Sequence, residues 1–133
     1  MRKLILILFL LPFLGFSQSE TKIEYWENGR VLSQIQYVAD IENGPFRYYH
    51  ENGKLWREGN YKDGEEQGLR KEYYENGQLW TEEYFKDGKE DGLFKDYHEN
   101  GKVVWEGNFK HGKLINQKCW DKNGNEIECK NSR

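Results

Sequence analysis

The sequence predicts an all-β chain, an elongated array of antiparallel β-hairpin repeats laid side by side in a single twisted sheet. Three observations carry this. A Glu-Asn-Gly tripeptide returns every 24 residues, at Glu27-Asn28-Gly29, Glu51-Asn52-Gly53, Glu75-Asn76-Gly77 and Glu99-Asn100-Gly101, with a fifth Asn-Gly at Asn123-Gly124 after 23. Between these breaks lie short runs rich in Tyr, Trp, Leu and Val that alternate with period two, as strands do. No stretch places apolar residues at helical spacing over the ten or more positions a helix needs.

Composition sets the outer bounds. A chain of 133 residues has room for one domain. A mean hydropathy of -1.04 and 32% charged residues would suit disorder, but five Trp, nine Tyr and seven Phe would not. The net charge of -3 supplies no basic footprint, so nucleic acid is not an expected partner. Two Cys are too few for a four-Cys zinc site or a disulfide-dense scaffold. No cofactor and no metal is expected.

Residues 1–17 read as a secretory signal peptide. Arg2 and Lys3 form a basic start, residues 4–14 an apolar run, and Gly15 and Ser17 supply small residues before a cut between Ser17 and Gln18. The run is too short to span a bilayer and contains Pro12. No Cys follows it to mark a lipoprotein. The expected location is therefore outside the cytoplasm: periplasm, outer-membrane surface or secreted. Cleavage would leave 18 Lys and Arg against 23 Asp and Glu, a net charge of -5.

The remaining elements follow in order. Residues 18–24 are a lead-in, residues 25–118 hold four 24-residue repeats, and residues 119–133 form a capping hairpin and tail. Each unit is a strand, an Asn-Gly turn, a second strand and a second Gly-marked break. Asn28-Gly29, Asn52-Gly53, Asn76-Gly77, Asn100-Gly101 and Asn123-Gly124 are expected to be two-residue hairpin turns, in which both residues take positive φ. The second break, read as the longer turn, is Asp63-Gly64, Asp87-Gly88 or His111-Gly112; the first unit departs, with Asp40-Ile41. Tyr25, Tyr49, Tyr73, Tyr97 and Trp120 each stand three residues before an Asn.

Alternation divides the strands into two faces. One carries Val31, Ser33, Ile35 and Tyr37, then Leu55, Arg57, Gly59 and Tyr61, then Leu79, Thr81, Glu83 and Phe85, then Val103, Trp105, Gly107 and Phe109. Gly59 and Gly107 would let another backbone or ring approach closely; Glu83 breaks that pattern. The opposite face carries Trp56 and Trp80 in one register, with Tyr84. A lone hairpin cannot hide its apolar side, but stacked hairpins cover one another.

The unit YYENGQLWTEEYFKDGKEDGL, beginning at Tyr73 and ending at Leu93, resembles the bacterial MORN-variant repeat, whose members are often labelled YwqK-type antitoxins. The resemblance runs from about Tyr25 to Asn116, with a truncated copy near Trp120. It implies a single-sheet, groove-forming array used for protein contacts or, in eukaryotic MORN proteins, proposed for membrane lipids. The antitoxin label would imply a neutraliser of a partner protein, and the leader would require that partner to be exported as well.

The residues themselves argue against chemistry. His50 and His98 fill a slot occupied by Trp26 and Tyr74 in other units, and His111 stands where Asp63 and Asp87 stand, so all three read as structural. Glu27, Glu51, Glu75 and Glu99 are one position copied, whereas a glycosidase needs two carboxyls made unlike by their surroundings. An envelope glycan hydrolase is therefore the lesser alternative, and the protein is expected not to be an enzyme. The stretch beginning at Asp121 lacks the Gly and Glu of a calcium loop and reads as a turn.

Cys119 and Cys129 flank the last Asn-Gly turn. An odd-length loop, such as one from Asn123 to Asn125, would set them opposite, and in an oxidising compartment they are expected to form a disulfide that caps the array. Trp56, Trp80 and Tyr84 form the candidate binding face if their side of the sheet is open; otherwise they cover it. The expected partner is a protein or extended peptide, with a glycan as the second choice. Membrane lipid is disfavoured by the acidic charge.

Overall fold

Among the described residues the hairpins join neighbouring strands, so sequence order is also sheet order. The computed structural model describes the backbone of residues 3–7 and residues 18–130 in full; most of the leader, Ser17 included, lies outside the described residues. The strands are β1 (Lys3–Ile7), β2 (Ser19–Tyr25), β3 (Val31–Val38), β4 (Ile41–Tyr49), β5 (Leu55–Lys62), β6 (Glu65–Glu66) and β7 (Gly68–Tyr73). They continue with β8 (Leu79–Lys86), β9 (Lys89–Tyr97), β10 (Val103–Lys110), β11 (Lys113–Trp120) and β12 (Glu126–Ile127). All pair antiparallel in one open sheet; β6 and β7 share β5 as partner, being one strand interrupted at Gln67. The all-β hairpin array is as the repeat predicts.

The two kinds of turn are exchanged relative to the sequence expectation. At Asn-Gly, the N–H of Gly29 donates to the Trp26 carbonyl at 2.9 Å and the N–H of Trp26 to the Arg30 carbonyl at 2.8 Å. This is a three-residue loop in which only the glycine takes positive φ, at 82°. The same pattern recurs at His50, Tyr74, His98 and Asp121. The tight two-residue turns are at the opposite margin. Asp63-Gly64, Asp87-Gly88 and His111-Gly112 have both residues at positive φ, and Ala39-Asp40 takes that place in the first unit.

The asparagines therefore serve a purpose other than positive φ. The Asn28, Asn52, Asn76 and Asn100 Oδ1 atoms accept the backbone N–H two residues on, at 2.8–3.0 Å. Nδ2 of Asn28 donates to the Glu51 carbonyl and Nδ2 of Asn52 to the Glu75 carbonyl, each at 3.1 Å, while Asn100 reaches the Lys122 carbonyl at 3.5 Å. The amide uses its acceptor inside its own turn and its donor on the next. Cationic side chains strengthen the same margin, with Lys54 and Lys102 donating to the Asn76 and Asn123 carbonyls.

The opposite margin is linked by its own set of bonds. The Gly64, Gly88 and Gly112 N–H groups donate to the carbonyls of Glu42, Glu66 and Glu90 in the preceding unit, at 2.9–3.1 Å. Hydrogen bonding thus runs turn to turn along both edges of the ribbon, while ladder pairing fills its middle.

Burial is concentrated on one face. Phe46, only 1% exposed, lies opposite Gly59, and its ring would sit 2.7 Å from a Cβ built there. Phe94 pairs with Gly107 two hairpins on, where the close approach comes instead from the Trp105 ring and Leu114, and Phe94 packs edge-on against Trp105 with ring centres 5.2 Å apart. The expected close approach at the two glycines is present. Leu32 and Ile35 complete the buried apolar set.

Replacing Asn52 by Asp keeps the acceptor for the Lys54 N–H and removes the donor to Glu75; we expect a loss of about 1–2 kcal/mol in urea unfolding. Asn52→Gly, which a positive-φ role would leave neutral, is expected to cost about as much.

Candidate binding face

The middle of the buried face is filled by its own polar cluster. Arg57, Glu72, Thr81 and Asp96 follow one another across β5, β7, β8 and β9, with Gly59, Arg70, Glu83 and Phe94 alongside. Arg70 donates to Glu66 at 2.8 Å and to Glu83 at 2.5 Å, and Arg57 donates to Glu66. Oε1 of Glu72 lies 3.6 Å from Nε of Arg57 and 3.7 Å from Nε of Arg70. The three carboxylates hold the Arg70 guanidinium above its ordinary pKa although burial pulls it down. Arg70 also covers the Phe85 ring, 4.5 Å from its centre. Glu83, anomalous in the sequence, is 6% exposed because Arg70 reaches it.

The second face is built differently. A single row crosses the sheet from Gln34 through Arg47, Glu58, Lys71, Glu82, Lys95 and Glu106 to Lys118, each opposite the next. Its charges alternate, and three neighbours close to 3.3–3.7 Å as ion pairs. Cross-strand charges of opposite sign in this geometry favour the observed register. Tyr49, Tyr73 and Tyr97 donate their hydroxyls to Gln34, Glu58 and Glu82 of this row, at 2.8–3.2 Å. Burial first, then the bond to the carboxylate, pushes the Tyr73 and Tyr97 phenols up to about 12; burial does the same at Tyr61.

Alternation predicts Trp56 and Trp80 on this face, but a bulge in β5 between Leu55 and Arg57, repeated in β8 between Leu79 and Thr81, turns them to the buried face at its Asn-Gly margin. There Trp56 lies edge-on to Tyr48 with ring centres 6.2 Å apart, and the two tryptophans stay 37% and 38% exposed. They occupy equivalent places two strands apart, a spacing of about 10 Å. Each is backed by the ring that precedes its own Glu-Asn-Gly. His50 lies 6.0 Å from Trp56 and Tyr74 5.7 Å from Trp80, centre to centre. Those backing rings are anchored to the next unit: Trp26 Nε1 donates to the Tyr49 carbonyl, and the Tyr74 hydroxyl to the Tyr97 carbonyl. His50 Nε2 lies 2.9 Å from the Tyr73 carbonyl, a contact that requires its proton on Nε2. His50 is thus a structural ring, and His111 is a turn residue whose backbone N–H donates to Asp91. Tyr84, 45% exposed, stands on the charged-row face with Glu82, so the face that the sequence predicts it to share with Trp56 and Trp80 is not shared. The structure aligns the two tryptophans and leaves Tyr84 apart from them.

An open groove runs between the first two Asn-Gly turns, lined by Trp26, His50 and Trp56 and rimmed by Glu51 and Glu75. The sequence pointed to the tryptophans but not to Trp26 and His50 as groove walls; the signal was the recurring flat-ring slot before each Glu-Asn-Gly. Among the described residues, no group of three or more His, Cys, Asp or Glu is placed to hold a metal ion. Asp121 Oδ1 accepts the backbone N–H of Asn123 and of Asn125, so that stretch is a hydrogen-bonded turn.

Cys119 and Cys129 are joined in a disulfide, as expected, but in a different register. Cys119 pairs across the ladder with Ile127, and Cys129 lies beyond the end of β12. The odd loop is 122–124, because Asp121 and Asn125 flank it, and this moves the pairing by two residues.

A family model described as MORN repeat variant matches residues 42–63, 66–87 and 90–111. The three matches keep the 24-residue phase, each opening near the start of the strand after a tight turn and closing in the next one. No curated protein matches the chain.

Above the ordinary phenol pKa of 10, the unfolded chain gives up tyrosine protons that the native chain retains. Stability is therefore intact below pH 10 and falls as pH rises toward 12. Urea midpoints across that range should show the decline, and a Tyr73→Phe/Tyr97→Phe chain should show a smaller one. Reduction of the disulfide, which spans 10 residues, is expected to remove up to about 2–3 kcal/mol. The measurements are a lower melting temperature and faster hydrogen exchange in β11, with no free thiol before reductant is added.

Proposed function

We propose, from the premise that this chain belongs to the MORN repeat variant family, that it is an exported, non-enzymatic binding module of the cell envelope. Repeats of this kind commonly serve for binding and scaffolding. The observation that supports the reading is the pair of aligned, half-exposed tryptophans, Trp56 and Trp80, at the open Asn-Gly margin of the sheet. Flat rings backed by fixed rings present a large contact area that loses little freedom on binding. The ligand is an extended peptide segment of an envelope protein, and the Glu51 and Glu75 rim favours one that carries Lys or Arg. Export is supported by the leader pattern of residues 1–17 and by a disulfide, which suits an oxidising compartment.

The test is capture from envelope extracts by cross-linking to the purified chain, followed by titration of the recovered partner with Trp fluorescence. Trp56→Ala/Trp80→Ala is expected to weaken binding at least about thirtyfold without altering the circular dichroism. A partner held equally by that variant would overturn the assignment of the face. Turnover of labelled cell-wall polysaccharide by the purified protein would overturn the non-enzymatic reading.

A further inference from the structure

The two edges of the sheet are finished differently. At the C-terminal edge β12 is only two residues long, β11 carries a bulge beside Asn108 and Phe109, and the disulfide ties the tail down. Short strands and bulges are devices that discourage further pairing. At the N-terminal edge, β2 pairs with β3 from Ser19–Val38 to Glu24–Ser33, and the shift before Tyr25–Val31 places the extra residue, Leu32, in β3, so β2 itself runs straight. The outer side of β2 takes a strand, because β1 lies along it with Lys3 opposite Tyr25 and Ile7 opposite Thr21. Removal of residues 1–17, as the proposed export requires, takes β1 away and leaves that side of Thr21–Tyr25 without its ladder partners.

The vacated segment reads Thr-Lys-Ile-Glu-Tyr and is complementary to itself. An antiparallel copy centred on Ile23 sets Lys22 opposite Glu24, Glu24 opposite Lys22, Ile23 opposite Ile23, and Thr21 opposite Tyr25. Shifting the centre to Lys22 sets Lys22 against Lys22 and Glu20 against Glu24, which is repulsive. Shifting it to Thr21 exchanges the Ile–Ile pair for Ile23 against Ser19. The Thr21 register also sets Lys22 against Glu20, so the register centred on Ile23 is distinguished by joining opposite-charge pairs to an apolar pair. Lys22 and Glu24 also stand on the face that carries Ile35 and Ser33, where Lys22 lies 4.2 Å from the Tyr37 ring centre.

We propose that the processed chain forms a two-fold dimer in which β2 of one copy pairs antiparallel with β2 of the other, centred on Ile23, so that the two sheets become continuous. A two-fold contact of this kind is self-closing and needs no other surface. The inference rests on the leader being removed. Among the described residues the buried apolar side chains lie between Leu32 and Trp105, in strands other than β1 and β2.

Sedimentation equilibrium on residues 18–133 is expected to give twice the chain mass, with the full-length chain as the control in which β1 covers the edge. Lys22→Glu and Glu24→Lys, each alone, should weaken the dimer at least about tenfold by placing like charges opposite at two symmetric positions. The double variant Lys22→Glu/Glu24→Lys should restore it, and an equimolar mixture of the two single variants should form a mixed dimer. A processed chain with native circular dichroism that stays monomeric, or a dimer indifferent to the single substitutions, would overturn the proposal. The intact mass of the protein recovered from the envelope tests leader removal separately. Retention of residues 1–17 would overturn processing while the truncated chain still reports on the edge.

Discussion

One side-chain amide per unit decides how the units of this array sit beside one another. At Asn28 and Asn52 the oxygen closes the local turn and the nitrogen reaches the following turn, so the shape of one hairpin end and the position of the next are set by the same residue. Neither Asp nor Gly can do both, since Asp lacks the donor and Gly lacks the side chain. With the far margin held by the bonds from Gly64, Gly88 and Gly112, each hairpin is fixed at both ends before any side chain is buried. A single-layer sheet needs this, because an isolated hairpin has too little apolar surface to hold itself together.

The two faces divide the work. One buries rings against glycines at its flanks and closes its centre with two guanidiniums and three carboxylates. The members of that cluster depend on one another, because removing a carboxylate leaves a half-buried guanidinium without its counter-charge. The other face carries an alternating row of charges, while the two aligned tryptophans remain open at the Asn-Gly margin of the first. Repetition explains both faces. A position copied every 24 residues falls on the same line across the sheet, so a favourable neighbour becomes a stripe.

Most of the fold was legible because the repeat is long, regular and punctuated by glycine. The division into faces followed from alternation along the middle of each strand, but beside the Asn-Gly turns a bulge that the pattern does not reveal moves Trp56 and Trp80 to the core side. The turns were not legible in the same way. Asn-Gly is the strongest two-residue hairpin signal, yet here the asparagine is occupied by bonds to its own turn and the next, and Asp-Gly takes the tight turn. Local preference yielded to a contact with a residue 23 positions away. The register of Cys119 was misplaced for the same reason, since it was counted from the wrong loop. Glu83 seemed to spoil the core face because its partner Arg70 lies on a neighbouring strand, which no period-two pattern reveals.

Because both margins are linked from each unit to the next, the array has no preferred length. Duplicating or deleting one whole 24-residue module would leave every remaining amide and glycine with its partner and change the ribbon by two strands, about 10 Å. An insertion of any other length would strand the donors on one margin. Gene-level copying in whole modules is thus a tolerated way for this scaffold to grow or shrink, with its reach adjusted in steps and its surface chemistry carried along unchanged.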